Sequence, residues 1–276
     1  MSTAIRQPAV AGRFYPDDPR ELRHEVEEFT GTGKASGSHS GRIRALGCVV
    51  PHAGYVYSGG VAGAVYGALE LPTRYIILCP NHTGRGEALA IMSRGAWRTP
   101  LGDALIDEKL AADLKARFAL MSEDDTAHRS EHALEVQLPF LQVLRPDFRF
   151  VPITVGTGRF EVLSALGESM ASVAQESRDQ VLVIASSDMN HYEGDSVTRV
   201  KDRRAIEQIL ALDPRGLYDV VRQGSISMCG YGPTVAMLAA ALKLGATKAQ
   251  LIRYATSGDV SGDRDMVVGY AGIAIS

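Results

Sequence analysis

Three short apolar runs in this chain each stop just short of a histidine. LGCVVP (46–51) leads into His52, YIILCP (75–80) leads to His82, and VLVIASSD (181–188) leads to His191. Runs rich in Val, Ile and Leu that end at Pro, Asn or Asp read as buried strands reaching their ends. If they are parallel neighbours, their carboxyl ends meet on one edge of a sheet, where open α/β folds place their sites. The pattern predicts that three imidazoles converge from distant parts of the sequence.

With 276 residues, the chain accommodates one large α/β domain or two small ones. RFYPDDPRELRHEVEEF reads as a loop followed by an amphipathic helix, and GTGKASGSHSGR (31–42) as a Gly/Ser-rich surface loop. GTGKAS is not a P-loop, because the first glycine of that motif would fall on Glu28 and no strand precedes it. From residue 46 onward, strand-like and helix-like segments alternate. Helices are predicted near 59–70, 107–118, 132–144, 160–175, 199–211, 214–223 and 233–244, with further strands near 88–93, 148–154, 249–255 and 266–275. This order predicts a three-layer α/β/α domain around a mixed, mainly parallel central sheet with some antiparallel edge strands. No repeat or linker divides the chain, so a single domain over 1–276 is expected.

Composition excludes several classes. A net charge of −3, with 22% charged residues, gives no electrostatic case for nucleic acid or an anionic membrane as the main partner. No run of about 18 uncharged apolar residues reads as a membrane span. MSTAIRQPAVAGRFYPDD lacks the apolar core of a signal peptide, so the cytoplasm is the expected location. Of the three cysteines, Cys48 and Cys79 lie inside apolar runs and read as buried core thiols. Cys229 differs, standing in SISMCGYGPTVAML, a polar, Gly-rich turn ahead of a helix.

Neutral imidazole is a common ligand for zinc, iron and copper. Cys229, Asp188, Glu131, Glu135, Asp259 and Asp263 are the candidates for an accompanying anionic ligand. Cys229 precedes Pro233, which suits the first residue of a helix; a thiol near a helix N-terminus favours metal binding or nucleophilic chemistry. Asp188 and His191 share the DxxH stretch of SSDMNH, so both can face one pocket, with a carboxylate setting the tautomer of a proton-transferring His191. His128-Arg-Ser-Glu131-His132 also spells H-x-x-E-H, an inverted zinc-peptidase pattern with Glu207 downstream. That pattern arises easily by chance and sits where a helix would only be beginning. There is no G-x-S-x-G, and Ser58 fits a helix N-cap. The G-x-G of Gly230 and Gly232 ends in Val235, against a dinucleotide site.

Seven motifs occur in order: RQPAVAGRFYP, VPHAGYVYSGGVAG, PNHTG, EHALEVQLPFLQ, SSDMNHY, MCGYGP and TSGDVSGD. Over residues 5–276 the chain thereby closely resembles the Memo family, called component B of the AmmeMemoRadiSam system in bacteria and archaea. That family is similar in fold to class III extradiol (LigB-type) dioxygenases, non-haem iron enzymes that open catechol-type rings. The resemblance implies a metal pocket at His52, His82 and Cys229, holding iron or copper by preference and otherwise zinc. It implies that Asp188 and His191 line the pocket, with His191 as the acid/base, and that Tyr57, Glu131 and His132 belong to the substrate pocket. It also implies radical-SAM and AMMECR-type partner proteins and a small-molecule or peptide substrate. The dioxygenases bind iron with two histidines and a glutamate; a thiolate in the third place favours redox chemistry over ordinary ring cleavage. The expected function is thus a metal-dependent, dioxygenase-like redox protein. Its rivals are a non-catalytic peptide- or partner-binding module and a zinc peptidase through His128, Glu131 and His132.

Overall fold

The structure, a computed structural model, describes residues 4–32 and 41–276. Most of the Gly/Ser-rich loop expected at 31–42 therefore lies outside the described residues. The strands are β1 (Ile5–Arg6), β2 (Gly47–Val50), β3 (Arg74–Pro80), β4 (Leu89–Ile91), β5 (Ala96–Thr99) and β6 (Gly102–Ile106), followed by β7 (Ser122–Glu123), β8 (Arg149–Val155), β9 (Val181–Ser186), β10 (His191–Glu193), β11 (Ala249–Thr256) and β12 (Val267–Ile275). The helices are α1 (Pro19–Thr30), α2 (Tyr55–Ala68), α3 (Glu108–Arg117), α4 (Thr126–Arg129) and α5 (Leu138–Leu144), then α6 (Phe160–Glu176), α7 (Asp195–Leu210), α8 (Pro214–Gln223), α9 (Tyr231–Lys243) and α10 (Gly258–Ser261).

The sheet runs β1-β5-β6-β8-β3-β9-β2-β12-β10, with β11 on β12 and β4 on β8. At its centre β8, β3, β9 and β2 are all parallel, and antiparallel pairs gather toward the edges. Side chains alternate strictly along the central strands. Val49, Ile76, Leu78, Val183 and Ala185 face α3, α6, α7, α8 and α9. Cys48, Val50, Tyr75, Ile77, Cys79, Leu182 and Ile184 face α1, α2 and α5. Two cores on opposite faces make this the expected three-layer α/β/α arrangement, and Cys48 and Cys79 are core thiols in it. Among the described residues no helix is long and apolar enough to cross a membrane.

Helix α2 begins four residues earlier than the hydrophobic pattern suggested, at Tyr55. Ser58 is therefore not its N-cap but lies inside it, where Oγ donates to the Ala53 carbonyl at 2.9 Å. The cap is Gly54, without a side-chain hydrogen bond. Gly63 lets α2 approach the end of α1; a Cβ there would lie 2.5 Å from the Phe29 carbonyl carbon. The helix expected at 132–144 is shorter, a 3-10 turn at Glu135–Gln137 running into α5. Residues 130–134 stay irregular, and two of their side chains belong to the site described below.

Asp202 of α7 anchors the turn that carries the third histidine. It is buried, its Oδ1 accepts from the Asn190 amide at 2.8 Å, and its Oδ2 accepts from the Tyr254 hydroxyl at 2.7 Å. Burial, only partly offset by those donors, raises its pKa to about 6. The folded state thus holds this proton more tightly than the unfolded chain, whose aspartates ionise near pH ~3.9. The contribution is most favourable at low pH and is lost as pH rises from about 4 through 6, on the order of 3 kcal/mol in all. Denaturation of Asp202→Asn between pH 4 and 7 is expected to lack that part of the wild-type slope; identical slopes would contradict it.

Candidate metal centre

His52 lies two residues beyond the end of β2, His82 two beyond β3, and Asp188 two beyond β9. Since β3, β9 and β2 are adjacent and parallel, these three positions meet on one edge of the sheet. On β9 the equivalent position is held by Asp188, and His191 reaches in from the start of β10, just past the turn that follows. The irregular segment before α5 adds His132, and the turn before α9 adds Cys229. Together with Phe14, Ala53, Gly54, Tyr192, Ser227 and Val268 these residues line a cavity of about 520 Å³.

The ring nitrogens of His52, His82 and His132 that could bind a metal lie within 4.8 Å of one another. The His82 and His132 rings stack at 4.8 Å and 19°. Sγ of Cys229 is 3.2 Å from His52 Nε2. Gly230 makes that placement possible, because a Cβ there would fall 2.4 Å from the Ser187 side chain and 2.5 Å from the Ser186 carbonyl oxygen.

Hydrogen bonds settle which nitrogens carry protons. The buried Glu131 carboxylate accepts from the His82 amide at 2.7 Å, from His82 Nδ1 at 2.9 Å and from the Ala133 amide at 2.9 Å. A carboxylate only accepts, so His82 Nδ1 bears the proton and Nε2 carries the free lone pair. His191 Nδ1 likewise donates to the Ser227 carbonyl at 2.8 Å, which frees its Nε2. A carboxylate behind a ligating histidine fixes the ring and raises its basicity.

Charges in the pocket are strongly coupled to burial. Burial, with His132 and His82 nearby, holds His52 well below the usual imidazole range. Burial likewise pushes up the Asp188 carboxyl, against the His52 amide bonded to it, and raises the Cys229 thiol. At His82 burial works the same way but is outweighed by the Glu131 hydrogen bond and charge, which raise its pKa. Burial of Glu131 is outweighed in turn by its donors, which lower its pKa to about 2. A cation among these groups would reverse the burial penalty on each anionic form.

A family model described as Memo-like protein matches residues 6–274. The chain belongs to the Memo-like family. A MEMO1 family protein of Methanopyrus kandleri is 46% identical, covering 97% of this chain and 98% of its own. Another, from Methanothermobacter thermautotrophicus, is 44% identical, with 97% and 99% covered. Among solved structures, an uncharacterized protein of Escherichia coli K12 aligns with a TM-score of 0.58 at 12% identity, over 84% of this chain and all of that one. At that identity the likeness concerns the fold alone.

Several expected residues of this Memo-like chain occupy other places than the motifs suggested. His191 is held by the Ser227 carbonyl and not by Asp188, whose Oδ1 accepts from the His52 amide at 2.7 Å. Glu131 stands behind His82 without lining the cavity. Tyr57 is 42% exposed in the first turn of α2, also outside the cavity lining. Pro233 is the third residue of α9 and not the first, still within the turn whose amides have no helical partner. The H-x-x-E-H reading fails on geometry. α4 ends at Arg129, so His128 and His132 share no helix face; His128 is fully buried against Trp97, and Glu207 is exposed on α7. Of the remaining acidic candidates, Glu135 pairs with Arg6, Asp259 pairs with Arg199 and Arg264, and Asp263 is exposed. Sequence reasoning missed Phe14, Ser227 and Val268, because nothing local marks a phenylalanine in a loop or a valine at a strand start as cavity lining. Tyr192 was also missed. It sits at the mouth with φ 59°, a left-handed conformation rare for a bulky residue and often found at functional sites.

Proposed function

We propose that this Memo-like protein is a metal-dependent redox protein that holds one iron or copper ion through His52, His82 and Cys229. His132 offers a third nitrogen, and so a fourth ligand, within reach. The observation that carries this reading is the convergence of three histidines whose candidate ligand nitrogens lie within 4.8 Å of one another, with Nε2 of His82 left bare by a carboxylate behind it. The donor set fits such an ion: imidazoles suit zinc, copper and iron, and the softer sulfur favours copper, zinc or an iron site tuned for electron transfer. Bound there, iron or copper supplies one-electron or oxygen chemistry that no side chain provides.

The surrounding residues define the rest. His191, anchored through Nδ1, offers Nε2 as a proton acceptor from a substrate and returns the proton later. Asp188 lines the same cavity and supplies a second ionisable group there. Phe14, Val268 and Tyr192 add apolar surface to the cavity lining, which favours a small organic or peptidic substrate. Among the described residues no lysine or arginine lines the cavity, so none of them offers a phosphate group a side-chain counter-charge. We further assign the chain to the cytoplasm beside radical-SAM and AMMECR-type proteins, on the strength of the motif resemblance.

Metal analysis of the protein purified without oxygen tests this reading, with Cys229→Ala as control. Near-stoichiometric iron or copper in the wild type and a marked loss in the variant are expected; equal content would overturn it. Glu131→Gln adds a second test. Its amide group must face either the His82 backbone amide or the pair formed by His82 Nδ1 and the Ala133 amide. At least one of these bonds is therefore lost together with the negative charge behind His82, and metal affinity is expected to fall by about 10- to 100-fold. An unchanged dissociation constant would show that Glu131 does not act through His82.

A further inference from the structure

A buried chain of hydrogen bonds runs from the core to His52 and involves residues that the metal reading does not use. The Tyr66 hydroxyl donates to Gln137 Oε1 at 2.9 Å. Gln137 Nε2 donates to the Pro51 carbonyl at 2.9 Å and to Ser186 Oγ at 2.9 Å. Ser186 Oγ donates to the Ala133 carbonyl at 2.6 Å and lies 3.0 Å from His52 Nδ1. Tyr66, Gln137, Ser186 and His52 are all buried.

The donors and acceptors close in only one way. The Pro51 carbonyl can only accept, so the amide group of Gln137 must face it, and the same group then donates to Ser186. A hydroxyl has one proton, and the Ala133 carbonyl takes it. Both lone pairs of Ser186 Oγ therefore accept, one from Gln137 and the other from His52. His52 Nδ1 must bear the proton, and its Nε2 is bare on the side facing Cys229. The opposite tautomer would set two lone pairs against each other or strip the Ala133 carbonyl of its donor, leaving a buried group unsatisfied.

We infer that Ser186, held by Gln137, is a positioning residue that locks His52 in the Nδ1–H tautomer and so presents Nε2 to the cavity. This rests on the metal reading only for its purpose, since the tautomer is a property of the metal-free protein. The parallel with Glu131 is direct: one ring is fixed by a carboxylate, the other by a neutral hydroxyl. The pocket can thus carry two oriented imidazoles behind which only one negative charge is buried.

Nitrogen-15 spectra of histidine-labelled, metal-free protein test the inference. In the wild type the His52 signals are expected to show a protonated Nδ1 and a bare Nε2. In Ser186→Ala, which removes only a hydroxyl, they are expected to shift toward a mixture of tautomers, while His82 and His191 keep theirs. Zinc, a diamagnetic probe, is expected to bind this variant about 10- to 100-fold more weakly than the wild type. A wild-type His52 protonated on Nε2 would overturn the inference, as would a variant with unchanged tautomer and unchanged zinc affinity. If the wild type binds no metal but shows the expected tautomer, the metal reading falls and the role of Ser186 in setting the tautomer stands.

Discussion

Arg6→Ala is expected to lower folding stability by about 3 kcal/mol, the lower part of the range for breaking a buried ion pair. Arg6 is buried beneath the segment that carries the site. Its Nε donates to the His128 carbonyl at 3.1 Å, its Nη2 donates to the Glu131 carbonyl at 2.7 Å, and its Nη1 pairs with the Glu135 carboxylate. The guanidinium also lies over the Trp97 ring, 4.2 Å from its centroid. One side chain from a two-residue strand thus ties down both ends of the stretch containing Glu131 and His132. The loss is held to the lower part because Glu135 keeps three donors, the amides of Ala9 and Val10 and the Tyr15 hydroxyl. Arg6→Lys keeps the charge but cannot reproduce a fork with three separate acceptors, so most of the loss should remain. Urea denaturation reads both variants. A loss below about 1 kcal/mol with an unchanged m-value would place Arg6 among ordinary surface ion pairs.

His82→Ala carries the second large effect, on binding and not on folding. Its ring is partly open to solvent, and Glu131 would still accept from the His82 backbone amide and from Ala133. The fold should therefore survive with little loss. Metal affinity is expected to drop by more than about 100-fold, beyond what losing an outer hydrogen-bond partner costs. His52→Ala should weaken binding as much, but it also empties a buried site and disturbs folding, which makes His82 the cleaner variant. A competition titration against a chelator of known affinity checks this; affinity within a factor of about three of wild type would remove His82 from the site.

Much of this arrangement was legible because strand ends announce themselves. Continuous apolar runs broken by Pro51 and by Asn81 marked β2 and β3, and parallel neighbours necessarily bring His52 and His82 to one edge. Cys229 was legible as the one cysteine outside an apolar run. Register beyond the strand end was not legible: Asp188, and not His191, sits where the other two strands place their histidines, because the DMN turn carries the chain onward before His191 begins β10. The role of His132 was obscured by the helix expected over 132–144. Pro139 fits the first turn of α5, and the residues ahead of it are free to bend toward the cavity. Gln137 and Ser186 had no signature, since a hydrogen-bond chain between an irregular segment and a strand follows only from the packed geometry.

Anaerobic titration of the metal-free protein with copper or iron, followed by absorption spectroscopy, tests the central claim most directly. The wild type is expected to develop a thiolate-to-metal charge-transfer band that saturates at one ion per chain and is absent in Cys229→Ala. Saturation without that band, or the same band in Cys229→Ala, would contradict a site built from His52, His82 and Cys229.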